Sequence, residues 1–469
     1  MMMRIPLLAV GALALALVGA PVQARDVGDA LSIPPSGVLG VGDAQLTAAF
    51  WVGLQAQPDR VILDRAAIAA QNAKLLQVDP SMHDLHALPA TLDRARVEGW
   101  INDLSARPDR PLFDVDGQPV TGATLDAIVG NRALDGIPAQ QKTRYGLVVQ
   151  RASLRTFPTT LRVFSERGDT DIDRFQETAE FPGTPVVIAH ASADGKWLFV
   201  LSPHYAAWTD KENVAEGSAA EVFGYADSTP YRIVTGDSVR TVFTREVPAV
   251  SQLQLDMSTR VPLVTDLPPD QPVNGQTPYA TQVINLPLRK ADGSLAFSPA
   301  LLQKNTDTAA DYLPLTRANL IRQAFKFLGE RYGWGHAYDG RDCSGFVADV
   351  YRSMGVQMPR NTSRQAISPA LEHRAFTAKD SREERIKAAH ALQVGDLVYI
   401  PGHVMMVIGQ LHGQPYVIHD VAGMSYRKAD GSKVHVKLNA VSVTPLLPML
   451  FNDQQTFVDR MTSIVRIRH

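Results

Sequence analysis

Asp342-Cys343-Ser344-Gly345-Phe346-Val347 holds the only cysteine in a chain of 469 residues. Phe346, Val347, Val350, Tyr351 and Met354 recur at three and four positions, which predicts an amphipathic helix that starts at Cys343 and ends at Gly355. The thiol therefore stands at a helix start, placed for reaction; the plainer alternative is a buried, inert cysteine. Unpaired backbone N–H groups and the positive end of the helix dipole favour a thiolate there, the more so with a histidinium nearby. Asp342 has two readings: a cap for this helix, or a contact for a substrate.

Working outward, Leu320, Ile321, Ala324, Phe325 and Leu328 fall on one face of a helix expected over 317–328. Gly333-Trp334-Gly335 then forces a loop before the cysteine. Downstream come three strands, Asp396 to Ile400, His403 to Ile408 and Tyr416 to His419. Two helices followed by a strand meander make an α+β unit.

A cysteine nucleophile needs a base, and the base needs a third group to fix its tautomer and orientation. His403 follows Pro401-Gly402 and opens an apolar strand, and His419 ends the next one. If Gly409 to Pro415 closes a hairpin between them, both imidazoles share one side of the sheet. His403 then reads as the base and His419 as its orienting partner; the plainer alternative is two polar residues at strand ends. No CxxC or HxxxH spacing accompanies them, so neither a metal nor another cofactor is expected.

The N-terminus reads as an export signal. Arg4 is followed by an apolar run from Ile5 to Val18 and by Val22-Gln23-Ala24, which predicts removal of residues 1–24 and a periplasmic or secreted protein. The run is short for a membrane span, and nothing later approaches twenty apolar residues, so no integral segment is expected after cleavage. A lone thiol in an exported chain has no internal disulfide partner, which strengthens its reading as a nucleophile. A retained N-terminal anchor is the other reading of this run. The formal net charge of -2, with no Lys/Arg-rich stretch, argues against a nucleic-acid partner. Nothing in the chain sets an oligomeric state.

Between signal and cysteine the patterning changes twice. Residues 25–140 read as a helical segment, broken by prolines near Arg107 to Pro111 and by the turn-rich Gly130 to Pro138. Residues 141–217 and 218–310 each read as short strands separated by turns such as Ala193-Asp-Gly195 and Asp292-Gly293, which predicts two consecutive small β-barrel modules. The expectation is a multidomain protein whose α+β unit occupies residues 311–469.

Tyr332-Gly-Trp-Gly335, Asp342-Cys-Ser-Gly-Phe346, Pro359-Arg360 with Ser363 and Gln365, Gly395-Asp-Leu397, Gly402-His-Val404 and Val417-Ile-His419 stand in an order that resembles the NlpC/P60 cell-wall peptidases, a papain-like superfamily. Leu154 to Thr159, Asp173 to Glu177, Gly183 to Val187 and Asp194 to Trp197 resemble the bacterial SH3-type (SH3b) modules that precede the catalytic domain in one branch of that family, and the helical segment resembles the extra domain of the same branch. Many relatives carry Gly-Gly after the tryptophan where this chain has Gly335-His336. His336 reads as a solvated loop residue or a substrate contact.

The resemblance implies a cysteine endopeptidase that cuts between γ-D-glutamate and a diamino acid, typically meso-diaminopimelate, in peptidoglycan-derived peptides. On this chain it makes Cys343 the nucleophile, His403 the base, His419 the orienting group and Tyr332 a donor to the oxyanion, together with the backbone N–H of Cys343. It makes Asp342 the contact for the free amine of L-alanine, with Ser344 and Trp334 lining the groove. In similar enzymes the first SH3-type module blocks one end of the groove, so that Trp208 or the Asp173 to Glu177 loop would face the site and the enzyme would recycle short peptides. The modules could instead be detached anchors on wall polymer. An amidase or acyltransferase with the same Cys-His chemistry, and a catalytically silent wall-binding protein, are the other readings.

Overall fold

The computed structural model describes residues 32–468 apart from 35 and 269. The export signal expected over 1–24 lies outside the described residues. Among those described, no helix is long and apolar enough to cross a membrane.

The Cys343 helix spans Cys343–Arg352. Phe346, Val347, Val350 and Tyr351 are fully buried along it, as the spacing requires, and it rests on a six-stranded antiparallel sheet. In spatial order the strands are Glu372–Ala375, Ser463–Arg466, Leu397–Ile400, His403–Leu411, Gln414–Val421 and Ala440–Pro445. Val404, Met406, Ile408 and Ile418 are fully buried; each such side chain contributes about 1.5–3 kcal/mol by leaving water. A shorter helix, Arg317–Phe325, packs beside the Cys343 helix.

Residues 38–137 have no single core of their own. Trp51 is buried against Tyr416, with ring centroids 5.0 Å apart, and Val61–Leu63 pairs with Leu315–Thr316. Val38, Trp51, Leu63 and Ile68 thus join the core of the C-terminal unit. Further along, Leu92, Val97, Ile101 and Ile137 pack instead on Phe199 and Trp208 of the first β-module. The helix Gly122–Gly130, capped by Thr121, lies between the two breaks seen in the sequence.

The first β-module is a seven-stranded antiparallel sheet between Arg144 and Gly217. The second is built around the long hairpin of Thr281–Arg289 with Leu295–Gln303. It opens with a helix, Ala219–Asp227, where the sequence suggests the start of a strand-rich stretch. The reason is local: Ser218 and Glu221 form a reciprocal capping box, which satisfies two orphan N–H groups and starts the helix despite the β-branched and aromatic residues that follow.

All three units meet behind the cysteine. Arg151 of the first β-module donates to the carbonyls of His336 (3.0 Å) and Gly340 (2.8 Å) and pairs with Asp256 of the second. Asp256 also takes Arg341 (3.2 Å), which reaches Asp349 of the Cys343 helix at 2.7 Å. Asp256, Arg341 and Asp349 are each at most 1% exposed, so each charge depends on the others for compensation.

Candidate active site

Asp342 takes the cap position. Its Oδ1 accepts from the N–H of Gly345 at 2.8 Å, and its Oδ2 accepts from the N–H of Gly335 at 3.1 Å. Arg360 grips both oxygens, at 3.1 and 2.7 Å, and also donates to Ser344 Oγ (2.9 Å) and to Thr178 Oγ1 of the first β-module (2.6 Å). Burial opposes ionisation of Asp342, but Arg360 wins and holds the carboxyl at about 2. Asp342 is the cap of this helix, and it also lines the cleft over the cysteine.

His336 is neither a solvated loop residue nor a contact on the cleft. It is 5% exposed, its Nδ1 lies 3.0 Å from Arg360 Nη2, and its ring lies where a side chain at Gly345 would be: a Cβ there would come within 2.3 Å of Cε1. Because a guanidinium only donates, Nδ1 must be the acceptor and Nε2 carries the proton. Burial lowers its pKa to about 4. The surrounding loop holds Gly335, His336, Tyr338 and Asp339 at positive φ, a conformation costly for the three that carry a Cβ. The barrel keeps it in place: Trp334 Nε1 donates to Gln176 O (3.0 Å), Gln176 Nε2 to Gly335 O (2.8 Å) and Tyr338 to Thr170 O (2.8 Å).

Cys343 is buried, at 5% exposure. Its sulfur lies 3.7 Å from Thr362 Oγ1, and the backbone N–H of Val404, next to His403, is directed at it. The low thiol pKa expected from the helix start is not what this environment gives. Burial, followed by the charge of Asp342, pushes the thiol up to about 12, and burial pulls His403 down to about 4. Both shifts favour the neutral forms, a thiol at Cys343 and an imidazole at His403.

The hairpin register sets Met406 opposite Ile418, so His419 faces Met405 across the strands and His403, two residues away, shares its side of the sheet. His403 Nε2 lies 2.7 Å from His419 Nδ1, and His419 Nε2 lies 2.9 Å from Thr444 Oγ1. One proton arrangement gives a usable base: Nε2–H of His403 donates to His419, Nε2–H of His419 donates to Thr444, and Nδ1 of His403 keeps its lone pair. Nothing in the sequence marks Thr444; strand pairing of Gln414–Val421 with Ala440–Pro445 brings it there.

Tyr332, Trp334, Asp342, Cys343 and Ser344 line one cleft of about 480 Å³, together with Arg360, Thr362, Tyr399, Gly402 and one residue of the first β-module, Glu177. Burial, with the charges of Cys343 and Asp342 adding to it, raises the Tyr332 phenol well above its usual range, so its hydroxyl stays a donor. Glu177 takes hydroxyl donors only, Thr156 and Tyr205 (2.6 Å), and burial raises its carboxyl. Trp208, one of the two barrel features considered for this wall, is instead fully buried in the barrel core with Nε1 on Ser105 Oγ at 3.2 Å. Among the described residues no group of side chains could hold a metal ion.

The comparisons with known proteins agree with this architecture. Residues 329–442 match the NlpC/P60 family, and residues 162–210 match the SH3 domain of the SH3b1 type. A curated relative, the gamma-D-glutamyl-L-lysine dipeptidyl-peptidase of Bacillus cereus, is 29% identical over 203 residues, which covers 39% of this chain and 50% of that protein. The chain thus spans about half the length of that relative. In fold, the chain is similar to an NlpC/P60 endopeptidase of Photobacterium damselae subsp. piscicida, with a TM-score of 0.70 at 16% identity over 88% of this chain and 96% of the other. This is a multidomain protein whose C-terminal unit is an NlpC/P60 domain and whose first β-module is an SH3 domain of the SH3b1 type.

Proposed function

We propose that the protein is a cysteine peptidase that hydrolyses the bond between γ-D-glutamate and a diamino acid in short murein peptides with a free N-terminal L-alanine. The observation that carries this reading is the wall formed by Glu177. A partly buried carboxyl whose hydrogen-bond donors are hydroxyls, on the wall of the same cleft as the ionised Asp342, suits an ammonium group and would close the cleft to a longer chain on that side. The B. cereus relative, named for γ-D-glutamyl-L-lysine peptides, supports the same bond.

In the proposed reaction Cys343 Sγ attacks the amide carbonyl carbon while Nδ1 of His403 takes the thiol proton. Tyr332 and the backbone N–H of Cys343 donate to the oxyanion; one such donor is worth about 3–4 kcal/mol. The C–N bond then breaks, His403 returns the proton to the leaving amine, and water hydrolyses the thioester with His403 again as base. With an N-terminal run fit for export, the substrates would be released wall peptides met outside the cytoplasm, and the role recycling rather than lysis.

Mass spectrometry of products from L-Ala-γ-D-Glu-meso-diaminopimelate tests this. Release of L-Ala-D-Glu that disappears in Cys343→Ala, and that fails when the L-alanine amine is acetylated, is the expected result. Cleavage of lactyl-linked muropeptides instead would indicate an amidase. Sedimentation with sacculi without any cleavage would indicate a wall-binding protein.

A further inference from the structure

A second cavity, of about 450 Å³, adjoins the cleft at Thr462, an exposed residue that lines both. Three arginines and two aspartates line it, Arg382, Arg385, Arg460, Asp380 and Asp459. Their partners divide them sharply. Arg385 is buried and spends its guanidinium on the carbonyls of Asp380, Met461 and Thr377. Asp459 holds Arg382 at 3.0 Å and the N–H and hydroxyl of Thr456, while Asp380 holds Thr377 and lies 3.8 Å from Arg374.

Arg460 is left over. Its guanidinium stacks on Phe451, 4.9 Å from the ring centroid. Among the described residues its guanidinium makes no ion pair and its buried Nε has no hydrogen-bond acceptor. Arg460 is half-buried, so its terminal nitrogens keep access to the cavity while the buried Nε lacks an acceptor, and a carboxylate entering the cavity would supply one.

The direction of the substrate follows from the proposed function, on which this inference rests. With the amine at Glu177 and the scissile carbonyl at Cys343, the leaving portion runs along Tyr399 to Gly402 toward Thr462. Among the described residues the cleft has one cation on its walls, Arg360, and that one is committed to Asp342, Ser344, Thr178 and His336. We propose that the cavity beyond Thr462 is a carboxylate site for the leaving portion of the peptide, with Arg460 as its free cation and Arg382 beside it. A carboxylate there comes either from the side chain of diaminopimelate or from a following D-alanine.

Calorimetry with full-length Cys343→Ala separates the two sources. The ligands are L-Ala-γ-D-Glu-meso-diaminopimelyl-D-Ala, its D-alanine amide, its diaminopimelate side-chain amide, and the peptide with lysine in place of diaminopimelate. Loss of the recognised carboxylate is expected to weaken binding about 10- to 100-fold. Adding Arg460→Gln is expected to remove that difference, and a variant with Arg382→Gln, chosen because it sits on the exposed rim, to reduce it. Equal binding of acid and amide forms, an equal loss for every ligand in Arg460→Gln, or no binding at all overturns the proposal. Turnover by the wild-type chain is read separately: if no γ-glutamyl bond is cut yet the acid and amide forms still differ in affinity, the peptidase reading falls and the carboxylate site stands.

Discussion

His403 and His419 face each other with Nε2 of the first 2.7 Å from Nδ1 of the second, and the far nitrogen of His419 ends on Thr444 at 2.9 Å. With the Thr444 hydroxyl accepting from Nε2–H of His419, this chain gives His403 the tautomer it needs as a base. If Thr444 loses its oxygen, His419 can carry its proton on Nδ1, which forces the proton of His403 onto its own Nδ1 and abolishes the base. Thr444→Val is therefore expected to lower kcat about 10- to 100-fold with KM little changed, and His403→Ala to lower it about 10²- to 10⁴-fold. Steady-state kinetics on the tripeptide checks both; a Thr444→Val enzyme with wild-type kcat would remove the tautomer argument.

Burial keeps the Cys343 thiol at about 12 and the His403 imidazole at about 4, so the resting pair is neutral at physiological pH. The base form of His403 is present above its pKa, and kcat/KM is expected to fall only as pH drops through about 4. Alkylation of Cys343 by iodoacetamide should climb steadily from pH 6 to 10, because thiolate is scarce throughout. A plateau already reached at pH 5–6 would show a preformed ion pair instead.

Asp420 follows His419 but points its carboxyl into a site where neither oxygen has a hydrogen-bond partner. Burial, with Glu330 and Asp342 adding to it, raises its pKa to about 9. For a raised carboxyl the folded state holds the proton that the unfolded chain gives up near 3.9. Stability is therefore full below that pH and lost as pH rises toward 9, by about 1.4 kcal/mol per unit at most. Asp420→Asn is expected to unfold at higher urea than wild type at pH 8, with the gap narrowing at pH 5. Parallel shifts at both values would refute a protonated Asp420.

Much of this site is legible in the sequence, because its chemistry is local. Asp342-Cys343 at a helix start, His403 after Pro401-Gly402 and His419 on the next strand are each tied to a short pattern. The features that no short pattern reveals depend on distant chain. Thr444 enters through strand pairing, Arg341 is paired with Asp256 from another module as well as with Asp349, and the high thiol pKa comes from burial by residues far apart in sequence. The N-terminal stretch is opaque for a related reason. Its helical spacing is visible, but which neighbour each half packs on is decided by Trp51 against Tyr416 and Leu92 against the barrel.

Asp256 tests whether the β-modules are part of the catalytic machinery or attachments to it. It is fully buried and bridges Arg151 to Arg341. Asp256→Ala would leave Arg151 without its close counter-charge, while Arg341 keeps Asp349 and Glu330, and is expected to cost about 3 kcal/mol in urea unfolding. Since Arg151 also holds the carbonyls of His336 and Gly340, kcat should fall in the fraction that remains folded. An active, equally stable variant would mark the second module as a separate anchor.

Gly345 and His336 form the last pair with a definite test. The imidazole fills the space beside Gly345, so Gly345→Ala drives a methyl to within 2.3 Å of Cε1, against a ring pinned by Arg360 and a loop already held at positive φ. The clash cannot be relieved by a rotamer change alone, and overpacking of this kind costs about 1–3 kcal/mol. Gly345→Ala is expected to lower the melting temperature and, by shifting the loop that carries Trp334, to raise KM. Replacing the ring in the same chain, Gly345→Ala with His336→Gly, removes the obstacle and suits the positive φ. The double variant should recover stability relative to Gly345→Ala alone; if it is less stable still, the ring is not what excludes a side chain at position 345.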